Sequence, residues 1–222
     1  MPINRRPGQR SNPDRRSATL RRVKRALVVD APAAADGRVR RGERSRQAIV
    51  AALYELVGRG VLQPTAQQVA TQAGVGIRSV FRHFSEMDSL YAAMNGRLEG
   101  DAVRILLGGT RDGSREQRLT GLVRQRASLF ERIAPYKRSA NLQRWRSRFL
   151  ADRHRRMQRG LREDLLQWLP ELAGAPAELL EAVDLVLSFE AWDILRTDRR
   201  LSARAAAGVT ERAVRALLAS GR

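Results

Sequence analysis

The 222-residue chain contains no cysteine, two histidines and few aromatic residues. Without cysteine there are no disulfides and no thiolate metal sites in this sequence. His83 and His154 lie far apart along the chain, so no histidine metal site is expected, and the sequence calls for no cofactor. Aromatic residues make up only 5% of the chain, but hydrophobic residues reach 43%, which is enough to bury a core at this length.

Long apolar runs are also missing. No stretch approaches the roughly 20 apolar residues that a membrane-spanning helix needs, and the basic N-terminus is not followed by the apolar segment of a secretory signal. These absences predict a soluble, cytoplasmic protein with no membrane partner. An enzyme is not expected either, because the sequence lacks a Gly-rich phosphate loop after a strand and a pair of catalytic carboxylates in context.

What the chain does have is a large excess of positive charge. Arginine and lysine number 42 against 23 acidic residues, for a formal net charge of +19, and all but two of the basic residues are arginine. This balance favours a polyanionic partner, most often nucleic acid. Residues 1–42 hold twelve basic residues against three acidic ones and have little periodicity. They are expected to be a largely disordered basic arm, which either follows the DNA backbone or is an inert tail.

From residue 43 onward the hydrophobic pattern is helical. One amphipathic helix is indicated by apolar residues at helical spacing, namely Ile49, Ala52, Leu53, Leu56 and Val57. Glycine and proline divide the remainder into further helices, predicted over 86–107, 114–134, 137–169, 177–197 and 203–219. No alternating β pattern of useful length appears, so the predicted fold is all-α.

A helix–turn–helix pattern occupies residues 65–84. Thr65 and Gln68 have the spacing of a capping box at the start of a second helix. Gly74 is expected to end that helix and to open a tight turn before a third. Val80 and Phe84 are one helical turn apart, so both are expected to face the core.

The segment from Ala51 to Leu90 contains "AALYELVGRG" and "PTAQQVATQAGVGIRSVFRHFSEMDSL". It resembles the DNA-binding domain of TetR-family transcriptional regulators. The matching positions are Ala51, Ala52, Gly60, Thr65, Val69, Ala70, Ala73, Gly74, Val75, Ser79, Val80, Phe81, His83, Phe84 and Leu90. The resemblance implies a three-helix DNA-binding domain over residues 43–90. It further implies a larger helical domain over 91–222 that forms a homodimer and binds a small-molecule effector, which the sequence does not identify.

Arg78 and Arg82 are the main candidates for reading bases. They are four residues apart and so share one face of the third helix, and arginine to guanine is the commonest specific contact in the major groove. Ile77 has two alternative roles, namely packing in the core or contact with a thymine methyl group. By resemblance, further DNA contacts are expected from Thr65, Gln67, Ser79, Phe81 and His83. Arg44 and Arg46, at the start of the first helix, are expected to add contacts to phosphate.

Three positions depart from the family pattern. Gly76 stands where the recognition helix usually begins with serine, and Phe81 replaces the usual tyrosine and its phosphate hydrogen bond. Met87 stands where the family usually has lysine. Each lost phosphate contact is expected to flatten the salt dependence of DNA binding.

The C-terminal half is less informative. Phe130, Trp145, Phe149 and Trp168 are candidates to line a ligand pocket, with core packing as the alternative. Leu185, Phe189, Trp192 and Leu195 are spaced for one face of a helix and are assigned to a dimer interface, to the core or to the pocket wall.

Together these features predict a sequence-specific transcriptional regulator. It is expected to be a ligand-responsive repressor that binds a palindromic operator in double-stranded DNA as a homodimer. The alternative is a basic architectural protein that binds nucleic acid without sequence preference, which accounts for the charge but not for the motif.

Overall fold

The computed structural model describes residues 37–220, and within that range every regular element is helical. The elements are α1 (Gly37–Gly58), α2 (Ala66–Ala73), α3 (Ile77–His83), α4 (Met87–Leu107), α5 (Arg115–Gln143), α6 (Arg148–Trp168), a 3₁₀ turn (Pro170–Gly174), α7 (Ala177–Val186), α8 (Phe189–Asp193), a π turn (Ile194–Asp198) and α9 (Ala203–Ser220). The prediction of an all-α fold is confirmed. None of these helices is long and apolar enough to cross a membrane.

The start of α1 differs from the expected boundary of the basic arm. Most of that arm, residues 1–36, lies outside the described residues, but residues 37–42 form the first turns of α1. The composition was misleading because arginine is a good helix former. Glu43 also adds local pairs along the helix, accepting a hydrogen bond from Gln47 at 3.2 Å and lying 4.0 Å from Arg46.

The helices α1 to α3 and the first half of α4 pack around one core, which we call the N-terminal bundle. The apolar stripe predicted in α1 is buried, including Ile49, Leu53 and Val57. Val80 and Phe84 are buried against it, as their spacing predicted. Apolar burial of this kind supplies most of the stability of such a small bundle, at about 25 cal/mol per Å².

The helices α5 to α9 enclose two adjoining cores, which we call the C-terminal bundle. One core surrounds Leu122, Leu165 and Trp168. The other surrounds Phe130, where the Phe189 ring meets the Phe130 ring edge to face with their centroids 5.7 Å apart. Helix α5 runs along both cores and is the longest helix in the described residues.

Two predicted helix boundaries in this bundle are wrong. Pro135 was expected to break the chain, but α5 continues through it to Gln143. The break comes later, where Ser147 caps α6 by accepting a hydrogen bond from the Leu150 amide. The predicted helix over 177–197 is likewise divided, because α7 ends at Val186 and Ser188 caps α8.

Helix α5 also joins the two bundles. The Tyr136 ring stacks on the Tyr54 ring of α1 with their centroids 4.6 Å apart. The Ser139 hydroxyl donates a hydrogen bond of 2.5 Å to the carbonyl of Leu62, in the loop between α1 and α2. Both contacts lie within one turn of each other on α5, so this part of the helix is fixed to the N-terminal bundle.

Candidate nucleic-acid interface

The turn between α2 and α3 has the geometry that its sequence predicts. Thr65 accepts a hydrogen bond from the Gln68 amide, and the Gln68 side chain accepts one from the Thr65 amide, which confirms the capping box. Gly74 ends α2 in the left-handed region at φ 64°, where a side chain would be strained. The chain therefore turns sharply, and α3 starts close to the end of α2.

The N-terminus of α3 has the weak cap that was expected. Gly76 occupies the capping position and offers no side-chain hydrogen bond to the helix. Glycine lowers stability by only a few tenths of a kcal/mol relative to serine at such a position. Val80, which is buried on the opposite side of α3, holds the helix against the N-terminal bundle.

The outward face of α3 carries two rows of side chains. Arg78 and Arg82 form one row, and both are exposed to solvent. Arg82 donates a hydrogen bond of 3.4 Å to the Ser79 hydroxyl, and Ser79 is half-buried. Two guanidinium groups on one exposed face can each present a planar fork of donors to a guanine edge or a phosphate.

The second row is apolar. Ile77 is 38% exposed and Phe81 is 53% exposed, and four residues separate them. Neither belongs to the buried core, so the structure places Ile77 toward solvent rather than in the packing of α3. This apolar pair beside the arginines is available to a partner that binds the outward face of α3.

The start of α1 lies beside the end of α3. A Cβ atom placed on Gly42 would lie 3.7 Å from Cε1 of His83, and the Arg46 guanidinium sits 5.2 Å above the centre of the Phe84 ring. Arg44 and Arg46 are both exposed. The basic start of α1 therefore lies next to the C-terminal end of α3.

His83 is placed less favourably for DNA than its motif position implies. Its ring is half-buried, and its Nε2 atom is buried without a hydrogen-bond partner in the part of the chain that the structure describes. That nitrogen faces the protein, so only the other ring nitrogen remains for a contact outside. Thr65 and Gln67, by contrast, are exposed at the start of α2, where free backbone amides favour an anion.

The four candidate pocket residues do not come together. Phe130 is buried in the core beside Phe189, and Trp168 is buried in the neighbouring core, where it packs on Gly121. Phe149 is half-buried against the N-terminal bundle. Trp145 is 81% exposed, because α5 extends past Pro135 and leaves this residue in the connection before α6.

The four candidate interface residues are also separated. Phe189 and Trp192 are buried within the C-terminal bundle, and Leu195 is partly buried against the same core. Leu185 alone is largely exposed, at 69%. The break at residues 187 and 188 ends the continuous helix on which the shared face was based.

The C-terminal bundle contains a polar cluster that no sequence pattern predicted. Lys137 Nζ lies 2.5 Å from Nδ1 of His154 and 3.6 Å from Glu190 Oε1, while Arg144 Nη1 lies 3.2 Å from Nε2 of His154. Burial lowers the pKa of His154, and the charges of Lys137 and Arg144 lower it further, against an opposing effect of Glu190. The imidazole therefore favours its neutral form.

A solved structure shares this fold. A transcriptional regulator from Rhodococcus sp. RHA1 is 20% identical in sequence and superposes with a TM-score of 0.63, over 79% of this chain and 96% of that one. A TetR transcriptional regulator from the same organism is 22% identical, with a TM-score of 0.49, over 79% of this chain and 97% of its own. No protein-family model and no curated protein matches the sequence. The first likeness shows that the chain has the helical fold of that regulator.

Proposed function

We propose that the chain is a TetR-type transcriptional regulator that reads double-stranded DNA with α3. The observation that carries this proposal is the outward face of α3, where Arg78 and Arg82 stand exposed behind a tight glycine turn. Val80 fixes the opposite face to the bundle, so the arginines are presented on a rigid helix. A helix held in this way suits the major groove.

The proposed division of labour follows the chain. Residues 43–90, lengthened by the start of α1 from Gly37, bind DNA, and residues 91–222 form the effector and dimerisation part. The remaining N-terminal residues act as a basic arm that adds contacts to phosphate. Arg44 and Arg46 add further positive charge beside α3, which strengthens binding without reading sequence.

The protein acts as a homodimer on a palindromic operator, and it is a repressor that a small-molecule effector releases from DNA. Exposed apolar side chains on the last helices support a dimer, namely Leu185, Ile194 and Val209. Two copies of α3 related by a two-fold axis reach successive major grooves about 34–36 Å apart. Light scattering at micromolar concentration tests this, and a monomer contradicts it.

Selection from a pool of random double-stranded DNA tests the reading of sequence. The expected product is an inverted repeat with guanine in each half-site, spaced by about one helical turn. Arg78→Gln or Arg82→Gln then lowers affinity for the selected site by about 10- to 100-fold, with a smaller loss on random DNA. Arg204→Gln, an exposed arginine on α9, is the matched control and leaves the preference intact.

The same experiment decides between the two candidate functions. An architectural protein yields no enriched motif, and its arginine variants weaken binding to selected and random DNA by the same factor. That outcome rejects the regulator and supports a non-specific nucleic-acid binder.

A further inference from the structure

A small cavity lies inside the C-terminal bundle, between α5, the connection from α7 to α8, and α9. Its volume is sufficient for about one water molecule. The lining residues are Val123, Arg126, Phe130, Val186, Leu187, Ser188, Trp192 and Thr210. The walls are thus apolar and aromatic, with one guanidinium and two hydroxyl groups among them.

Arg126 is the unusual member of this lining. It is only 3% exposed. Its Nη2 atom donates a 2.6 Å hydrogen bond to the Leu161 carbonyl and lies 3.1 Å from Asp164 Oδ2. Its Nε and Nη1 atoms are buried without a hydrogen-bond partner among residues 37–220. Leaving donors of a charged group unsatisfied in the interior is strongly unfavourable.

The surroundings do not fully compensate this charge. Asp164 is shared, because Arg111 Nη2 donates to its other oxygen at 2.7 Å. The next carboxylate, Asp184, is engaged by Arg162 at 3.2 Å. Two guanidinium groups therefore share one nearby carboxylate, and burial lowers the pKa of Arg126.

We propose that this cavity is the effector site of the regulator and that it takes a small carboxylate with a compact apolar body. The inference rests on the proposed function and names its ligand class. The carboxylate accepts hydrogen bonds from Arg126, and the hydroxyl groups of Ser188 and Thr210 stand on the same lining. The apolar body packs against the wall formed by Phe130 and Trp192, whose rings contact each other with their centroids 6.4 Å apart.

Entry of such a ligand requires the cavity to widen. We place the opening at Leu187 and Ser188, because this connection interrupts the helical run between α7 and α8 and lines the cavity. On the other side of the cavity, α5 carries both Arg126 and, further along, the Tyr136 contact to the N-terminal bundle. A ligand that moves α5 at the cavity is therefore connected to the DNA-binding helices.

The test uses the full chain and two carboxylates, benzoate and hexanoate, each paired with its neutral amide. Thermal unfolding and titration calorimetry measure binding. The carboxylates raise Tm by roughly 5–10 °C at 100 times their Kd. The amides bind at least tenfold more weakly, because they lose the charged partner of the guanidinium.

Two variants locate the site. Arg126→Gln removes the guanidinium, with the exposed neighbour Arg124→Gln as its matched control. Val123→Ile adds one methylene to the cavity wall and leaves Arg126 in place. It therefore tests the site even if Arg126→Gln does not fold. Its matched control is Val50→Ile in the N-terminal bundle. Loss of carboxylate binding in Val123→Ile, with the controls like wild type, supports the site.

Equal binding of acid and amide, or full carboxylate binding by Val123→Ile, overturns the proposal. A second measurement distinguishes a wrong effector site from a wrong proposed function. The affinity for the selected DNA is measured on the same preparation with and without benzoate. A ligand-responsive repressor loses about 5- to 150-fold in DNA affinity when the carboxylate binds. Carboxylate binding with unchanged DNA affinity overturns the effector role, and specific DNA binding without carboxylate binding overturns the site alone.

Discussion

The exposed apolar row of α3 makes a prediction about thymine. Ile77 and Phe81 lie beside the arginine row, so each can meet a base edge when the arginines reach guanine. In the major groove only thymine offers a methyl group. We expect the selected half-site to contain thymine next to guanine, and replacing that thymine with deoxyuridine removes the 5-methyl group alone.

The size of the effect follows from the buried area. One methyl-sized group withdrawn from water contributes about 0.8 kcal/mol. A palindrome has two such contacts, so double substitution weakens binding by about 1.6 kcal/mol, which is roughly 15-fold in Kd. The salt dependence is expected to stay the same, because no charge changes.

Fluorescence anisotropy with labelled duplexes at one fixed salt concentration measures this loss. Phe81→Ala and Ile77→Ala identify the side chain that contacts the methyl group, since the variant lacking that side chain binds thymine and deoxyuridine duplexes alike. Both residues are exposed, so the substitutions change folding stability by less than about 0.5 kcal/mol. Deoxyuridine placed outside the half-sites is the control duplex.

Equal binding of the thymine and deoxyuridine duplexes would contradict a methyl contact. If wild type binds the two duplexes equally while Arg78→Gln still abolishes the sequence preference, α3 reads DNA through its arginines only. The apolar row would then have another role.

Two further predictions concern stability and pH. Gly121→Ala lowers the free energy of unfolding by about 1–3 kcal/mol, because its Cβ would lie 2.5 Å from the Trp168 ring. In the described part of the chain, a Cβ atom on Gly160 would meet no side chain and no backbone of another element within 4 Å, so Gly160→Ala raises the free energy of unfolding by about 0.5–1 kcal/mol. Denaturant titration measures both variants, and equal stability changes would contradict the steric clash at Gly121. Because the pKa of His154 is lowered in the folded chain, stability falls as pH drops through the unfolded histidine pKa of about 6.5 and below. The variant His154→Gln has a flatter Tm profile between pH 7 and pH 5, and parallel profiles of variant and wild type contradict the neutral imidazole.

The N-terminal bundle could be predicted from sequence because its signals are local. The capping pair Thr65 and Gln68, the left-handed Gly74 and the i, i+4 pair Val80 and Phe84 each act within a few residues. Every one of these was found where the pattern placed it. The exposure of Ile77 could not be decided in the same way, since its spacing fits both the buried and the outward side of α3.

The C-terminal bundle was harder because tertiary contacts override local rules there. Proline inside a helix costs about 3 kcal/mol, yet α5 passes through Pro135. Contacts on both sides hold it: Phe130 in the C-terminal core, and Tyr136 with Ser139 at the N-terminal bundle. Because α5 ends at Gln143, Trp145 lies in the connection before α6 and is exposed. It therefore does not meet the other candidate pocket residues.

The sequence contained one signal for Arg126. It stands four residues after Leu122 and four before Phe130, so it interrupts an apolar stripe of α5. An arginine in such a position is usually solvated at the edge of the stripe. Its burial depends on the Leu161 carbonyl and on Asp164, and no local pattern predicts partners 35 or more residues away.

Helix α5 connects the cavity to the N-terminal bundle. Thirteen residues separate Arg126 from Ser139, which is about 20 Å of helix. Between them Pro135 lacks an amide hydrogen, so the helical ladder has one hydrogen bond fewer at that point. The segment beyond Pro135 is fixed to the loop between α1 and α2 by the bond from Ser139 to Leu62. The proposed ligand at Arg126 therefore contacts the same helix that holds this loop, and Pro135 is the point between the two at which α5 is most easily bent.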